Sequence, residues 1–448
     1  MTDTLHITKI NEVHIRVDCD SGLAMELSEY FTFLVPGAKF HPLVRNRIWD
    51  GKIRLYNVMT KLLYAGLFQN VLAFARNRNY AVEVGEGFNE ESFSIKEADD
   101  FSKTLNLPFV ARDYQLAALA HGIRKTRSVL LSPTGSGKSL IIYMLSQYYK
   151  KKTLIIVPTI SLVHQLAGDF ESYGYKDKIH KITAGADKSS DADIFISTWQ
   201  SIYKMPKAWF NKFEVVFGDE CHLFKAKSLT SIMEKLDKCK HRFGLTGTLD
   251  GTETNKLVLE GLFGTVKRVA KTTDLIDQGD LAELKIKILL LKYDESVRKA
   301  NKDNDYHAEM DFIIGHQGRN KFIKNLALSL KGNSLVLFQY VEKHGKDLYK
   351  DILDAAGDRP VHFIYGGVDG DIREDIRNLV ETQTDAIIVA SSGTFSTGVN
   401  IKNIFNIIFA SPAKSKIKTL QSIGRGLRKS DTKQSVTLFD IADDLSWK

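Results

Sequence analysis

Lys138 and Ser139 close the stretch SPTGSGKS, Ser132 to Ser139, which lies between the apolar pair Leu130 and Leu131 and the run LIIYMLSQYY. The chemistry open to these residue types at this spacing is phosphate binding. A strand, a glycine-containing loop and a helix surround phosphates with backbone N–H groups, and the helix N-terminus adds positive partial charge. Pro133, Thr134, Gly135, Ser136 and Gly137 form the cradle, Lys138 reaches the terminal phosphates, and the Ser139 hydroxyl is a ligand for Mg2+. Ser132 stands where the strict pattern has its first glycine, and a side chain this small still permits the turn. The stretch predicts a bound nucleoside triphosphate.

Two further groups say what is done with it. In GDECH, Gly218 to His222, Asp219 follows the apolar strand EVVF and can hold Mg2+ through water, while Glu220 can orient and deprotonate the water that attacks the γ-phosphate. An Asp-Glu pair at a strand end is commonly a solvated turn, but about eighty residues after a phosphate loop it reads as the hydrolytic pair. RDYQ, Arg112 to Gln115, precedes the loop by a helix, and the Gln115 amide suits an adenine edge, which makes ATP the expected nucleotide. Far along the chain, LQSIGRGLR sets Arg425 and Arg428 three apart, on one face of a helix. On spacing alone they are two surface arginines. In the company of a complete nucleotide site, an arginine delivered across a cleft stabilises the transferring phosphoryl group, worth about 10³ to 10⁵ in rate in other NTPases.

These groups need strands to hold them. SVLLS, TLIIVPT, ADIFIST, EVVFGDE and RFGLTGT lie between Phe101 and Gly279, and LKIKILLLKY, SLVLFQY, PVHFIYGG, AIIVASS, NIIFAS and SVTLFD follow from Leu284 on. Short apolar runs separated by amphipathic helices predict mostly parallel sheets covered on both faces, an α/β class, with two such domains in tandem, 101–280 and 281–448, leaving a cleft. Residues 1–100 predict a small α+β domain: a strand in EVHIRVD, a helix over GLAMELSEYFTF, a hairpin in KIRLYNVMTKLLYAG, a helix over 67–77 and a strand over 80–84. From Lys39 to Tyr80 this module carries eight basic residues against Asp50 alone, interleaved with Phe40, Trp49, Tyr56 and Tyr64. Any one aromatic is more often core, but the imbalance of the whole stretch predicts a nucleic-acid surface that includes Arg45, Arg47 and Trp49. EVGEGFNEESFSIKEADD, with seven acids against Lys96, reads as a solvated linker or exposed edge.

Composition agrees. A net charge of +8 on 448 residues favours a polyanionic partner. Three widely spaced cysteines, Cys19, Cys221 and Cys239, argue for a reducing compartment and against a disulfide framework or a zinc site. The N-terminus lacks the apolar core of a signal peptide, and no apolar run approaches the ~20 residues of a membrane helix, so a cytoplasmic protein without a membrane partner is expected.

Taken together, the chain resembles the superfamily 2 helicases. RDYQ is similar to their Q motif, SPTGSGKS to motif I, IVPTISLVHQ, TAG and ISTWQS to motifs Ia, Ib and Ic, and GDECH to motif II. LTGT, LVLFQY, ASSGTFSTGVNIKN and QSIGRGLR resemble motifs III to VI in the family's order. Within the superfamily, FHPLVRNRIWDGKIRLY, WQSIYKMPKAWF and TFSTGVNIKN resemble the bacteriophage UvsW helicases. The resemblance implies two RecA-like domains and an ATP- and Mg2+-dependent motor on branched DNA: forks, four-way junctions and R-loops in recombination-dependent replication and repair. The partner would be single- and double-stranded DNA, with RNA in RNA–DNA hybrids, and the protein a monomer in the host-cell cytoplasm. It further implies that Gln421, Arg425 and Arg428 complete the ATP site, with Gly398 beside the nucleotide. Thr159, Gly185, Thr198 and Thr394 would contact strand phosphates, and His222, Thr246 and Thr248 would couple the two sites. A double-stranded DNA translocase, an RNA-directed motor and an ATP-switched nucleic-acid clamp share these motifs and stay open.

Overall fold

The computed structural model describes residues 4–249, 253–368, 370–398, 401, 403–412, 423–424, 426–427 and 433–446. The chain divides into two compact units, one comprising Met1–Ser132 and Gly137–Ala270, the other Pro133–Ser136 and Lys271–Lys448.

In the first unit a small mixed sheet comes first. β1 (Thr4–Lys9) pairs antiparallel with β2 (His14–Asp18), β3 (Thr32–Leu34) pairs antiparallel with β4 (Lys52–Arg54), β5 (Leu62–Tyr64) joins β2, and β6 (Ala81–Val84) runs parallel to β1. The order β5-β2-β1-β6 buries Leu5, Ile7, Ile15, Val17 and Leu63 beneath the helices Ser21–Tyr30 and Phe68–Arg78. This is the expected α+β module with two changes. KIRLYNVMTKLLYAG is not one hairpin, because β4 and β5 belong to different sheets. The first helix stops at Tyr30, two residues before β3 begins, since Thr32 and Phe33 are needed to pair β4. Period-two patterning identifies strands but says nothing of which strand they meet.

The acidic stretch is not wholly a linker. After β6 it runs without regular structure to Ser94, which caps a helix over Ile95–Thr104 through a capping box with Glu97. Ala98 on that helix is fully buried in the core of the following domain. The module itself is docked on that domain. The Tyr64 hydroxyl donates to Glu234 at 2.7 Å, Arg127 pairs with Glu12 at 3.0 Å, and a Cβ on Gly66 would stand 2.0 Å from the Glu260 carbonyl oxygen. Only glycine permits that approach.

The larger sheet of this unit contains β7 (Arg127–Leu131), β8 (Thr153–Val157), β9 (Ile179–Ile182), β10 (Ile194–Thr198), β11 (Val215–Asp219), β12 (His241–Thr246) and β13 (Val266–Arg268), in the order β13-β7-β12-β11-β8-β10-β9. Its strand pairs are parallel. The strands are continuous apolar runs because both faces are covered by helices. β9 and β13, the two edges, escaped the sequence reading: each is short, and IHKI and VKR carry too little apolar pattern.

The second unit repeats the plan. β14 (Glu283–Lys292), β15 (Ser334–Phe338), β16 (Val361–Ile364), β17 (Ile387–Ser391), β18 (Asn406–Phe409) and β19 (Ser435–Asp444) form a sheet of parallel pairs in the order β14-β19-β18-β15-β17-β16. The fold is thus α/β, two tandem RecA-like domains behind a small α+β module. Among the described residues no helix is long and apolar enough to cross a membrane.

Candidate active site

In an open parallel sheet, loops and helix N-termini gather at the carboxyl ends of the strands, and ligands bind there. β12 lies between β7 and β11, so Leu131 pairs with Thr246 and Leu245 with Asp219. That insertion brings the phosphate loop, the acidic pair and the LTGT segment to one edge.

The loop leaves β7 at Ser132, whose N–H donates to the Thr246 carbonyl at 2.9 Å. Gly135 and Gly137 take positive φ, 87° and 78°, and the helix Lys138–Tyr149 begins at once. A Cβ on Gly137 would lie 2.4 Å from Nε2 of Gln115, so a glycine lets that amide sit against the loop. Gln115 is buried, and its Oε1 accepts from the Arg112 N–H at 3.0 Å; the Arg112 guanidinium reaches the Tyr114 hydroxyl at 2.9 Å. Ser136 turns its hydroxyl back onto the Pro133 carbonyl at 2.6 Å.

A connected polar array crosses this edge. Lys138 Nζ meets Glu220 Oε1 at 3.3 Å, with both side chains largely buried. Glu220 Oε2 lies 3.3 Å from Nδ1 of His222 and 3.4 Å from the Thr246 hydroxyl. That hydroxyl also lies 3.0 Å from the Thr248 carbonyl and 2.9 Å from His222 Nδ1. His222 Nδ1 is thus within reach of both the Thr246 hydroxyl and the Glu220 carboxylate. Glu220 itself sits at φ 49°, a left-handed conformation that costs about 1–2 kcal/mol for a residue with a Cβ. Its N–H donates to Asp219 Oδ1 at 3.0 Å, which fixes one carboxylate relative to the other. Behind the pair, Cys221 is fully buried and its thiol is pushed well up by that burial.

Ser139 Oγ and Tyr173 Oη are 2.8 Å apart, and Phe109 meets the Tyr173 ring edge-on at 5.6 Å. Neither aromatic was singled out in the sequence. The sequence offered only a phenylalanine three residues before Arg112; the structure shows it to be exposed. Among the described residues no group of three or more His, Cys, Asp or Glu could hold a metal. Ser139 and Asp219 offer one hydroxyl and one carboxylate, oxygen donors that suit a hard cation taking its other ligands from phosphate and water.

The other half of the same edge, over β8, β10 and β9, is made differently. Thr159 caps the helix Ile160–Ser172 by accepting from the Leu162 N–H at 3.4 Å. Thr198, nearly buried, opens the helix Trp199–Ile202 and shares its hydroxyl with Ser201 at 2.9 Å. Gly185 follows β9 in a turn at φ 78° with open space where a side chain would be. In the second unit Thr394 follows β17, with Ser391 Oγ donating to its hydroxyl at 2.7 Å, and Gly398 ends the helix Ser392–Gly398. Gln421, Arg425 and Arg428 lie outside the described residues.

With this geometry in view, the comparisons with known proteins are informative. Residues 6–85 match the family described as "DNA helicase UvsW, N-terminal", 108–251 "Type III restriction enzyme, res subunit", and 318–430 "Helicase conserved C-terminal domain". The chain is 37% identical over 454 residues to the ATP-dependent DNA helicase uvsW of Enterobacteria phage T4, covering 97% of this chain and 90% of that relative. The chain belongs to the UvsW family of ATP-dependent DNA helicases. The crystal structure of T4 UvsW superposes with a TM-score of 0.56 at 34% identity, covering 99% of this chain and 91% of that one. The DNA 3'-5' translocase XPB2 of Sulfurisphaera tokodaii is 24% identical over 399 residues, 78% of this chain and 86% of that relative.

The UvsW-type N-terminal module sets Arg45, Arg47 and Trp49 on the excursion 35–51 between β3 and β4. Arg45 and Arg47 are exposed, and Arg47 sits at φ 55°. Trp49 is half-buried, its indole N–H donating to the Lys52 carbonyl at 3.0 Å and its ring edge-on to His41. The aromatics of this stretch divide. Phe40 is exposed, while Tyr56 is core, its hydroxyl bonded to the Val17 carbonyl at 2.9 Å, and Tyr64 is spent on docking. Position in the alternating pattern did not separate them; burial did.

Proposed function

We propose that this UvsW-family helicase uses ATP and Mg2+ to drive strand movement on branched DNA, at forks, four-way junctions and R-loops, in recombination-dependent replication and repair. In this reading it works as a monomer in the cytoplasm of the host cell. The observation that carries the reading is the array Lys138–Glu220–Thr246–His222, which ties the phosphate loop to the acidic pair and to the segment after β12. ATP entry gives Lys138 phosphate oxygens in place of Glu220, and the released carboxylate is then free to take the proton of the attacking water. Ser139 and Asp219 would hold Mg2+, whose charge would offset that of the phosphates. Arg112, Gln115 and the exposed Phe109 frame the adenine. Gln421, Arg425, Arg428 and Gly398 complete the site from residues 281–448.

When Glu220 changes partner, Thr246 and His222 lose or gain one too. They are the proposed couplers, with Thr248, whose carbonyl takes the Thr246 proton. Thr159, Gly185, Thr198 and Thr394 face strand phosphates, and such contacts position a strand without reading its sequence. Arg45, Arg47 and Trp49 select branched or duplex shape. The test is ATPase stimulation across single-stranded DNA, duplex, fork, four-way junction and RNA–DNA hybrid. Strongest stimulation by fork and junction supports the reading, and equal stimulation by all five defeats its substrate half.

The likeness to a relative named as a DNA translocase favours one second reading, movement on duplex without strand separation. Triplex displacement without displacement of a fluorescent strand would establish it.

A further inference from the structure

We infer that Tyr173 is a positioning residue for Ser139: its hydroxyl aims the serine oxygen at the Mg2+ of the nucleotide and accepts the serine's hydrogen bond once that oxygen is a metal ligand. The inference rests on the proposed reading of Ser139 as a ligand of Mg2+, and it adds a residue that lies outside every motif of the chain.

The partner of Ser139 is unlike those of its neighbours. Other serine hydroxyls of this region turn to backbone carbonyls close in sequence, Ser136 to that of Pro133 at 2.6 Å and Ser146 to that of Tyr143 at 2.7 Å. Ser139 Oγ instead lies 2.8 Å from a side-chain hydroxyl 34 positions along the chain. Most side-chain hydrogen bonds go to backbone or water, so tertiary structure has to supply a pair of this kind.

The ring that carries the hydroxyl is held in place. Tyr173 directly follows the helix Ile160–Ser172, and its N–H donates to the Asp169 and Phe170 carbonyls at 3.0 and 3.1 Å. The ring stands edge-on to Phe109 at 5.6 Å and tilted against Tyr143 at 5.4 Å. Tyr143 is one turn after Ser139 on the helix Lys138–Tyr149, on the same face, so the Tyr173 ring lies along the first turn of that helix with its hydroxyl at the serine. A partner packed in this way gives a metal ligand a fixed direction, and such partners are typically worth about 10- to 100-fold in metal affinity.

A phenol also suits both states of the site. Between two hydroxyls either atom can donate. Without metal, Tyr173 can donate to Ser139. A serine oxygen that binds a cation spends a lone pair on it and keeps one proton to share, and Tyr173 Oη then accepts. A backbone carbonyl could only accept and an N–H could only donate, so neither could follow the change.

The experiment measures, by calorimetry on the full chain, the affinity for the non-hydrolysable ATP analogue AMP-PNP with Mg2+ and with EDTA. The ratio of the two affinities reports what the metal contributes. The unaltered protein is expected to bind more tightly with Mg2+, and Ser139→Ala to lose most of that gain. Tyr173→Phe keeps the ring between Phe109 and Tyr143 and removes only the hydroxyl. It should lower the ratio by about tenfold, with the affinity in EDTA and the melting temperature unchanged. In the Ser139→Ala background the same substitution should change nothing further, because the hydroxyl acts through the serine. A ratio unaltered by Tyr173→Phe, an equal loss with and without metal, or an additive loss in the double variant overturns the inference and leaves Ser139 standing as a metal ligand. No gain from Mg2+ in the unaltered protein, or a gain that survives Ser139→Ala, overturns the reading of Ser139 and the inference with it.

Discussion

The two halves of one sheet edge in the first unit are built on different principles. Over β7, β12 and β11, the half proposed to carry the chemistry, side chains meet one another: a lysine and a glutamate in contact, a histidine and a threonine behind them, and a strained backbone at Glu220. Over β8, β10 and β9 the hydroxyls are already used, Thr159 in capping a helix and Thr198 in a bond to Ser201, and Gly185 has no side chain at all. A half that changes bonds during a reaction needs particular atoms in reach of one another. A half that only grips a phosphate chain can offer backbone N–H groups at helix starts and turns, and it uses its side chains to hold those starts in place. The difference explains why one half is rich in motif residues that chemistry can interpret and the other in small residues it cannot.

The largest effect that would test the contrast is removal of a working side chain. Glu220→Gln should lower DNA-stimulated ATP turnover by about 10² to 10⁴, the share of a general base, with DNA affinity by fluorescence anisotropy unchanged. A parallel loss of DNA affinity would mean that the halves are not separable. Next comes His222→Ala, which removes the ring in contact with both Thr246 and Glu220. Turnover should survive within a few-fold while strand displacement per ATP falls by roughly tenfold, within the usual range of coupling energies.

Acid should make both halves fail together, because they share a core. Burial holds His121 and His241 down at about 4, and His241 is the first residue of β12. His344 in the second unit is held at about 4 in the same way. For each, the unfolded chain binds a proton between pH 6.5 and about 4 that the folded chain refuses, so stability rises with pH across that window and is lost as pH falls through it. Melting temperatures measured from pH 7 to pH 4.5 should decline, with ATP and DNA binding lost over the same interval. Loss of one well before the other would show that the halves unfold independently.

The smallest expected effect belongs to Thr159→Ala. If its hydroxyl is structural, stability drops by about 1 kcal/mol, the worth of a helix cap, and DNA affinity changes by less than about threefold. A protein of unchanged stability with tenfold weaker DNA binding would make the hydroxyl itself the contact.

Much of this was legible in one dimension. The apolar runs of both parallel sheets are long enough to read as strands, and a phosphate loop is a local motif whose residues are neighbours in sequence. The edge strands β9 and β13 were not legible, since a short strand half-exposed at a sheet edge carries little apolar pattern. Nor was the partner of β4, which is β3 rather than β5, because pairing is settled by which surfaces bury together. Tyr56 and Phe40 carry the same kind of side chain in the same basic stretch, yet one is core and the other surface.

What the sequence by itself determined was the chemistry to expect: a loop for phosphates, a carboxylate pair suited to hydrolysis, a basic module suited to a polyanion. Those properties belong to residue types at short spacing, where chain geometry leaves little choice. Tertiary structure alone decided the company they keep. Thr246 stands beside Glu220 because β12 is inserted between β7 and β11, and Ser139 has Tyr173 because the helix after β8 ends against the loop. Contacts between residues this far apart in the chain follow from the burial of whole strands and helices, and no local pattern encodes them.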